Sequence, residues 1–171
     1  KNWAVSAGKQ IVAIGGWEYD APPIDIYYSS LFWQNIACYQ FGVSGTYTSN
    51  DGRHNLTAQF CNSPYNGSLG DKRFAYNLMW SANVKWWHPL WSVNFFDYGR
   101  SDFCQYYMLG NRFDMGPVTL DVDLLNRHHY GTSFLKNWGV VGKLDYRVCK
   151  LLTVMVKGGY DRFDGDALKP T

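Results

Sequence analysis

Asp121 and Asp123 stand two residues apart in VTLDVDLL (Val118–Leu125), a spacing that puts both carboxylates on one face of a strand. Two carboxylates are the tools of glycoside hydrolysis, but such pairs normally come from separate strands, and neighbouring acids on one strand face also suit a polar channel wall. His128-His129 has no third ligand nearby and reads as an exposed loop, not a metal site. Asp161 to Asp166 lacks the register of a calcium loop. Asn55-Leu56-Thr57 and Asn66-Gly67-Ser68 match glycosylation sequons, and no phosphate loop or nucleophile elbow is present. The expectation is a protein that is not an enzyme and uses no metal or cofactor.

The elements that position these residues are strands. In FAYNLMWSANVKWWHPLW (Phe74–Trp91), Phe74, Tyr76, Leu78, Trp80, Ala82, Val84 and Trp86 form one apolar set. The intervening Ala75, Asn77, Met79, Ser81, Asn83 and Lys85 are mostly small or polar. That is the period of a strand, not of a helix, and it predicts a reversal over Trp86-Trp87-His88-Pro89. The same alternation runs through Tyr39–Thr48, Leu56–Cys61, Trp91–Phe95, Val118–Leu124, Trp138–Arg147 and Leu152–Asp161. Trp3–Ile14 is strand-like but interrupted by Lys9 and Gln10, and Phe103–Phe113 has no clear phase. Asn50-Asp51-Gly52 and Met115-Gly116-Pro117 are tight turns, and Arg127–Phe134 reads as a loop.

The longest irregular stretch, Trp17–Ala37, carries Pro22-Pro23 and a load of Tyr, Trp, Phe and Ile that argues against disorder. Long connections after Asp20, Asn62, Tyr98, Asn126 and Tyr160 alternate with short ones near Asp51, His88, Gly116 and Cys149. Long loops on one rim and short turns on the other are the rhythm of an outer-membrane barrel. Aromatic residues fall near both ends of the apolar face, as two interfacial girdles would. A soluble eight-stranded barrel or jelly roll would turn the same face inward, where so many Trp and Phe side chains would overfill a small interior.

Composition agrees. Aromatic residues make up 18% and charged residues 18% of the chain, the latter below the roughly 25% of a typical globular domain. A net charge of +2 with no Lys/Arg cluster argues against nucleic acid as a partner. No apolar run approaches the roughly 20 residues of a membrane helix, so a membrane location requires a barrel. Cys38, Cys61, Cys104 and Cys149 are scattered without CxxC spacing and read as free thiols packed on a wall.

GKQIVAIGGWEYDAPPIDIY (Gly8–Tyr27), CYQFGVSGTYTSNDG (Cys38–Gly52), AQFCNSP (Ala58–Pro64), LGNRFDMGPVTLDVDLLNR (Leu109–Arg127) and VKGGYDRF (Val156–Phe163) together resemble the Bacteroidetes outer-membrane porins related to the phosphate-selective porin O/P group. The resemblance implies an antiparallel transmembrane β-barrel in the bacterial outer membrane, often trimeric. It also implies passive diffusion of small hydrophilic solutes, with anion or phosphate preference as a further implication. Its partners would be small polar solutes or anions and the lipid and lipopolysaccharide of the membrane. The chain has no targeting segment, yields about nine strands, and ends at Pro170-Thr171 without a terminal aromatic strand. An odd count cannot close an ordinary bacterial barrel, so residues 1–171 are expected to be one segment of a larger, 16-stranded porin.

In that reading the polar face lines a channel. Lys85, Arg112, Lys143, Arg147 and Lys157 face Asp121, Asp123, Asp145 and Asp161 to set up a transverse field. Acids and bases are nearly balanced, so strict anion selectivity does not follow, and some pair across strands merely to stabilise the wall. Residues 16–37 resemble an inward-folded constriction loop, with Lys9, Glu18, Asp20, Asp25, Tyr27 and Tyr28 as eyelet candidates. The alternatives are a soluble β-barrel or sandwich binding a ligand on its aromatic residues, or a plugged barrel serving as scaffold in an envelope complex.

Overall fold

A computed structural model describes residues 2–17, 39–62, 73–99, 102–130 and 135–165. All the regular structure among them is β. Nine strands lie in one sheet in sequence order: β1 (Trp3–Ile11), β2 (Tyr39–Thr48), β3 (His54–Asn62), β4 (Phe74–Ala82), β5 (Trp87–Gly99), β6 (Asp102–Met115), β7 (Val118–Tyr130), β8 (Leu135–Cys149) and β9 (Leu152–Gly165). Every neighbouring pair is antiparallel. Among the described residues β1 and β9 are not paired with each other, so the sheet is not closed. No helix among them is long and apolar enough to cross a membrane.

Register carries the alternation from strand to strand. Trp3, Tyr47, Leu56, Trp80, Trp91, Leu109, Leu124, Val140 and Tyr160 are cross-strand neighbours in one row, and all belong to the apolar face. Large side chains on this outer face are open to solvent, among them Val5, Leu78, Leu109, Leu144 and Val156. The opposite, inner face holds the buried residues. Its apolar centre joins Val12 and Ile14 to Cys61, Ala75, Phe96, Cys104, Tyr106, Met108, Leu125 and Val141. Cys61, Cys104 and the exposed Cys149 are free thiols.

Aromatic contacts gather near both strand ends on the outer face. Toward the short turns Trp3 meets Tyr47, Trp80 meets Trp91, and Trp86 meets Phe113. Toward the other rim Phe60 meets Phe74, Phe95 meets Phe103, and Trp138 meets Tyr160.

Several boundaries differ from the sequence reading. Val12-Ala13-Ile14 leaves the sheet, because its apolar side chains are buried on the inner face instead of continuing β1. The reversal expected at Trp86–Pro89 comes earlier: Val84 and Trp87 exchange backbone hydrogen bonds around Lys85-Trp86. Lys85 takes a positive φ of 51° there. Pro89 sits inside β5 opposite Asn111, beyond the last β4–β5 pair at Ser81–Leu90, where its missing N–H costs no ladder bond on that side. β7 runs on through His128 and His129, so those residues are strand, not loop. Only residues 100–101 lie between β5 and β6, so the expected long connection there is replaced by longer strands.

The β2–β3 turn shows how turn chemistry fixes a hairpin. Gly52 donates its N–H to the Ser49 carbonyl at φ 68°, a left-handed conformation that glycine adopts without penalty. Gly52→Ala is expected to cost about 1 kcal/mol, read as a lowered unfolding midpoint. The Ser49 hydroxyl, then the Arg53 N–H, hold the exposed Asp51 carboxyl below its ordinary value of 3.8. A depressed carboxyl stabilises the fold above its unfolded value, and that contribution is lost as pH falls through the lowered one. Amide exchange at Gly52 and Arg53 is therefore expected to quicken, relative to the intrinsic rate, at acidic pH.

Candidate functional site on the covered polar face

After β1 the chain turns onto the inner face, and residues 12–17 cross it as a strap. Ala13 donates its N–H to Gln59 Oε1 at 2.7 Å, and its carbonyl accepts from Asn94 Nδ2 at 2.8 Å. Gly15 donates to Ser92 Oγ at 2.7 Å and Trp17 to Asp123 Oδ1 at 3.0 Å. The Trp17 indole N–H reaches the His88 carbonyl at 2.9 Å. Four residue steps from Ala13 to Trp17 span at most about 14 Å. The anchors run from β3 to β7, about 19 Å at ordinary strand spacing.

The half of this face beneath Val12–Gly15 is an amide network. Asn77 Nδ2 donates to Gln40 Oε1 and Gln59 Oε1 at 3.0 and 3.1 Å, and Asn77 Oδ1 accepts from Asn94 Nδ2 at 2.9 Å. Ser92 Oγ donates to Asn94 Oδ1 at 2.8 Å, and Gln59 Nε2 donates to the Ile11 carbonyl at 2.9 Å. Gln40, Gln59, Asn77, Ser92 and Asn94 are all buried. Burying so many amides is tolerable only because they bond to one another and to the strap backbone, each bond contributing about 1 kcal/mol net.

The half around Trp17 is charged. His88, Arg112, Asp121, Lys143 and Lys157 occupy one cross-strand row on β5 to β9. Arg112 clasps Asp121 through two hydrogen bonds, Nε–Oδ1 at 2.7 Å and Nη2–Oδ2 at 2.9 Å. Lys143 Nζ lies 3.4 Å from Asp121 and 3.2 Å from Asp145. Asp121 is 4% exposed and Lys143 8%, so the pairing is desolvated. The Arg112 guanidinium lies 4.0 Å from the Trp17 ring centre, a cation–π contact that ties the strap to the charged row. His88 Nε2 sits 3.1 Å from Asp114 at the short-turn end.

Of the sequence candidates, Arg112, Asp121, Asp123, Lys143 and Asp145 come together here. Arg147, Lys157 and Asp161 hold inner positions on β8 and β9 farther along the sheet. Lys85 lies off the face, in the β4–β5 turn, because β4 ends at Ala82. Lys9 lies on the outer face, in phase with Trp3 and Val5, its ammonium 5.0 Å from the Tyr39 ring centre. Glu18, Asp20, Asp25, Tyr27 and Tyr28 lie outside the described residues; of the loop 16–37, Gly16 and Trp17 are described and rest on the inner face. Within the described wall Arg112, Asp121, Lys143 and Asp145 are adjacent and paired across neighbouring strands. Both carboxylates of the Asp121/Asp123 pair are engaged, one by Arg112 and Lys143, the other by Trp17.

Sequence reasoning missed Gln40, Gln59, Asn77, Ser92, Asn94, His88 and Trp17. For the amide network, β2 to β5 each offer one amide and β5 a hydroxyl as well, a signal that only strand register assembles. Comparison with protein-family models, curated proteins and solved structures gives no match.

Proposed function

We propose that the chain forms part of the wall of a transmembrane β-barrel, an outer-membrane porin through which small hydrophilic solutes diffuse. One observation carries the reading: the large apolar side chains of the sheet stand on its open face, while its covered face sets buried amides and charges beside a small apolar centre. A soluble barrel or sandwich needs the reverse polarity, whereas a barrel in lipid needs this one. The two aromatic bands add a dimension. Phe103 and Phe113 are about 33 Å apart along β6 at the usual rise, or about 24 Å across the membrane at a 45° tilt. An outer-membrane barrel has an apolar band of about 25 Å between its girdles. A bacterial outer-membrane location, lipid and lipopolysaccharide against the outer face, and trimeric assembly follow from this reading together with the resemblance noted above.

The strap favours one second reading. A polar face this well covered also suits a plugged barrel acting as scaffold. The protein, purified in detergent and reconstituted in planar bilayers, is expected to give stepwise open channels. A folded, inserted protein without conductance would favour the plugged scaffold. A monodisperse protein that needs no detergent would sink both readings and leave the soluble alternative.

A further inference from the structure

We infer that the solutes this wall admits are neutral and hydroxyl-rich, with charge of either sign giving no advantage. The inference rests on the porin reading and names its solute class. Among the described residues no inner position on β1–β4 is charged. Among the side chains there, hydroxyls and an amide touch across strands: Ser6 and Ser44 at 2.8 Å, Thr46 and Thr57 at 3.0 Å, Thr48 and Asn55 at 2.8 Å. None of these six is buried. In each of the two hydroxyl pairs one O–H is donated within the pair and the other can turn to a solute, and in the third pair, where Thr48 donates to Asn55 Oδ1, the amide N–H groups of Asn55 can do so.

The charges gathered around Asp121 are neutralised where they stand. Arg112, Asp121, Lys143 and Asp145 form one continuous run of alternating sign with contacts of 2.7 to 3.4 Å. Opposite charges this close act as small dipoles, and screening at physiological salt removes most of their field within about 8 Å. A passing ion would have to shed water with no net countercharge to replace it. A sugar-like polyol exchanges hydrogen bonds to water for hydrogen bonds to the wall.

The test is swelling of liposomes containing the full chain, in glucose, gluconate and glucosamine. These solutes have nearly equal size and hydroxyl content and differ in charge. Glucose is expected to enter at least as fast as either ion, and the two ions within about threefold of each other. Asp145→Asn, which takes one of two carboxylates from Lys143, is expected to shift the ratio toward gluconate. Wild-type entry of gluconate or glucosamine tenfold faster than glucose would overturn the inference and leave the porin reading standing. No entry of any of the three by inserted protein would overturn the porin reading itself. The wild-type comparison decides even where the variant does not fold.

Discussion

Gly110→Val is expected to lift the strap from the inner face and to destabilise the protein by about 3–5 kcal/mol. A side chain starting at Gly110 would place its Cβ 2.7 Å from Gly16 Cα and 2.9 Å from both Gly16 N and Asp123 Oδ1. Two of those atoms are backbone and cannot rotate away. The strap would have to rise, which breaks the Trp17 hydrogen bond to Asp123 and strips the buried carboxylate of a donor. The crossing is equally tight one residue earlier, where a Cβ on Gly15 would lie 2.5 Å from the Leu90 carbonyl oxygen. Glycine meets glycine here because only bare backbones can pass at this separation. Gly45→Ala is the control: it points into open space and is expected to be neutral. The measurements are the thermal midpoint of unfolding and, on the porin reading, single-channel conductance in bilayers, which is expected to rise as the strap leaves the inner face. An unchanged midpoint and conductance would show that the strap does not depend on this crossing.

How much of this was legible in the sequence varies with how local the signal is. Strand faces were readable because alternation is a property of one segment at a time: Tyr39–Thr48 and Trp138–Arg147 take the faces their patterns assign. Lys9 was readable too, since Trp3, Val5, Ala7, Lys9 and Ile11 are all odd-numbered positions of one strand; the reading of an inward charge overrode the period. Lys85 was obscured by chance, because Val84 and Trp86 prolong the apolar alternation of β4 through a turn. Val12-Ala13-Ile14 looked like strand for a related reason. A short apolar run is equally suited to a buried crossing, and periodicity alone does not separate the two.

The site needed information that no segment holds. Arg112 finds Asp121 because β6 and β7 pair with Met115 opposite Val118, and shifting that register by one residue would point one of the two outward. The amide network is still less visible, being assembled from four strands and a strap, with Asn94 and Ala13 far apart in sequence. Long-range pairing of this kind is where a local pattern stops and the topology begins.

That register buries Asp121 against two cations. Asp121→Ala is expected to cost about 3–5 kcal/mol, the usual penalty for removing one partner of a buried ion pair. The loss comes less from the contacts deleted than from the charges left behind. Arg112 would lose both hydrogen bonds to the carboxylate, and Lys143 would lose one of the two carboxylates beside it, with side chains only 26% and 10% exposed. A buried pair replaced whole by apolar groups of similar volume is often nearly neutral, because the desolvation cost of both ions disappears with their attraction. Arg112→Met with Asp121→Leu is therefore expected to recover most of the stability lost in Asp121→Ala, short of about 1–2 kcal/mol for the contact between Arg112 and Trp17. Urea midpoints of the wild type, the single and the double variant measure this directly. A double variant no more stable than Asp121→Ala would mean that the cost lies in lost packing around the strap and not in unpaired charge, and the row from His88 to Lys157 would then be shape before it is electrostatics.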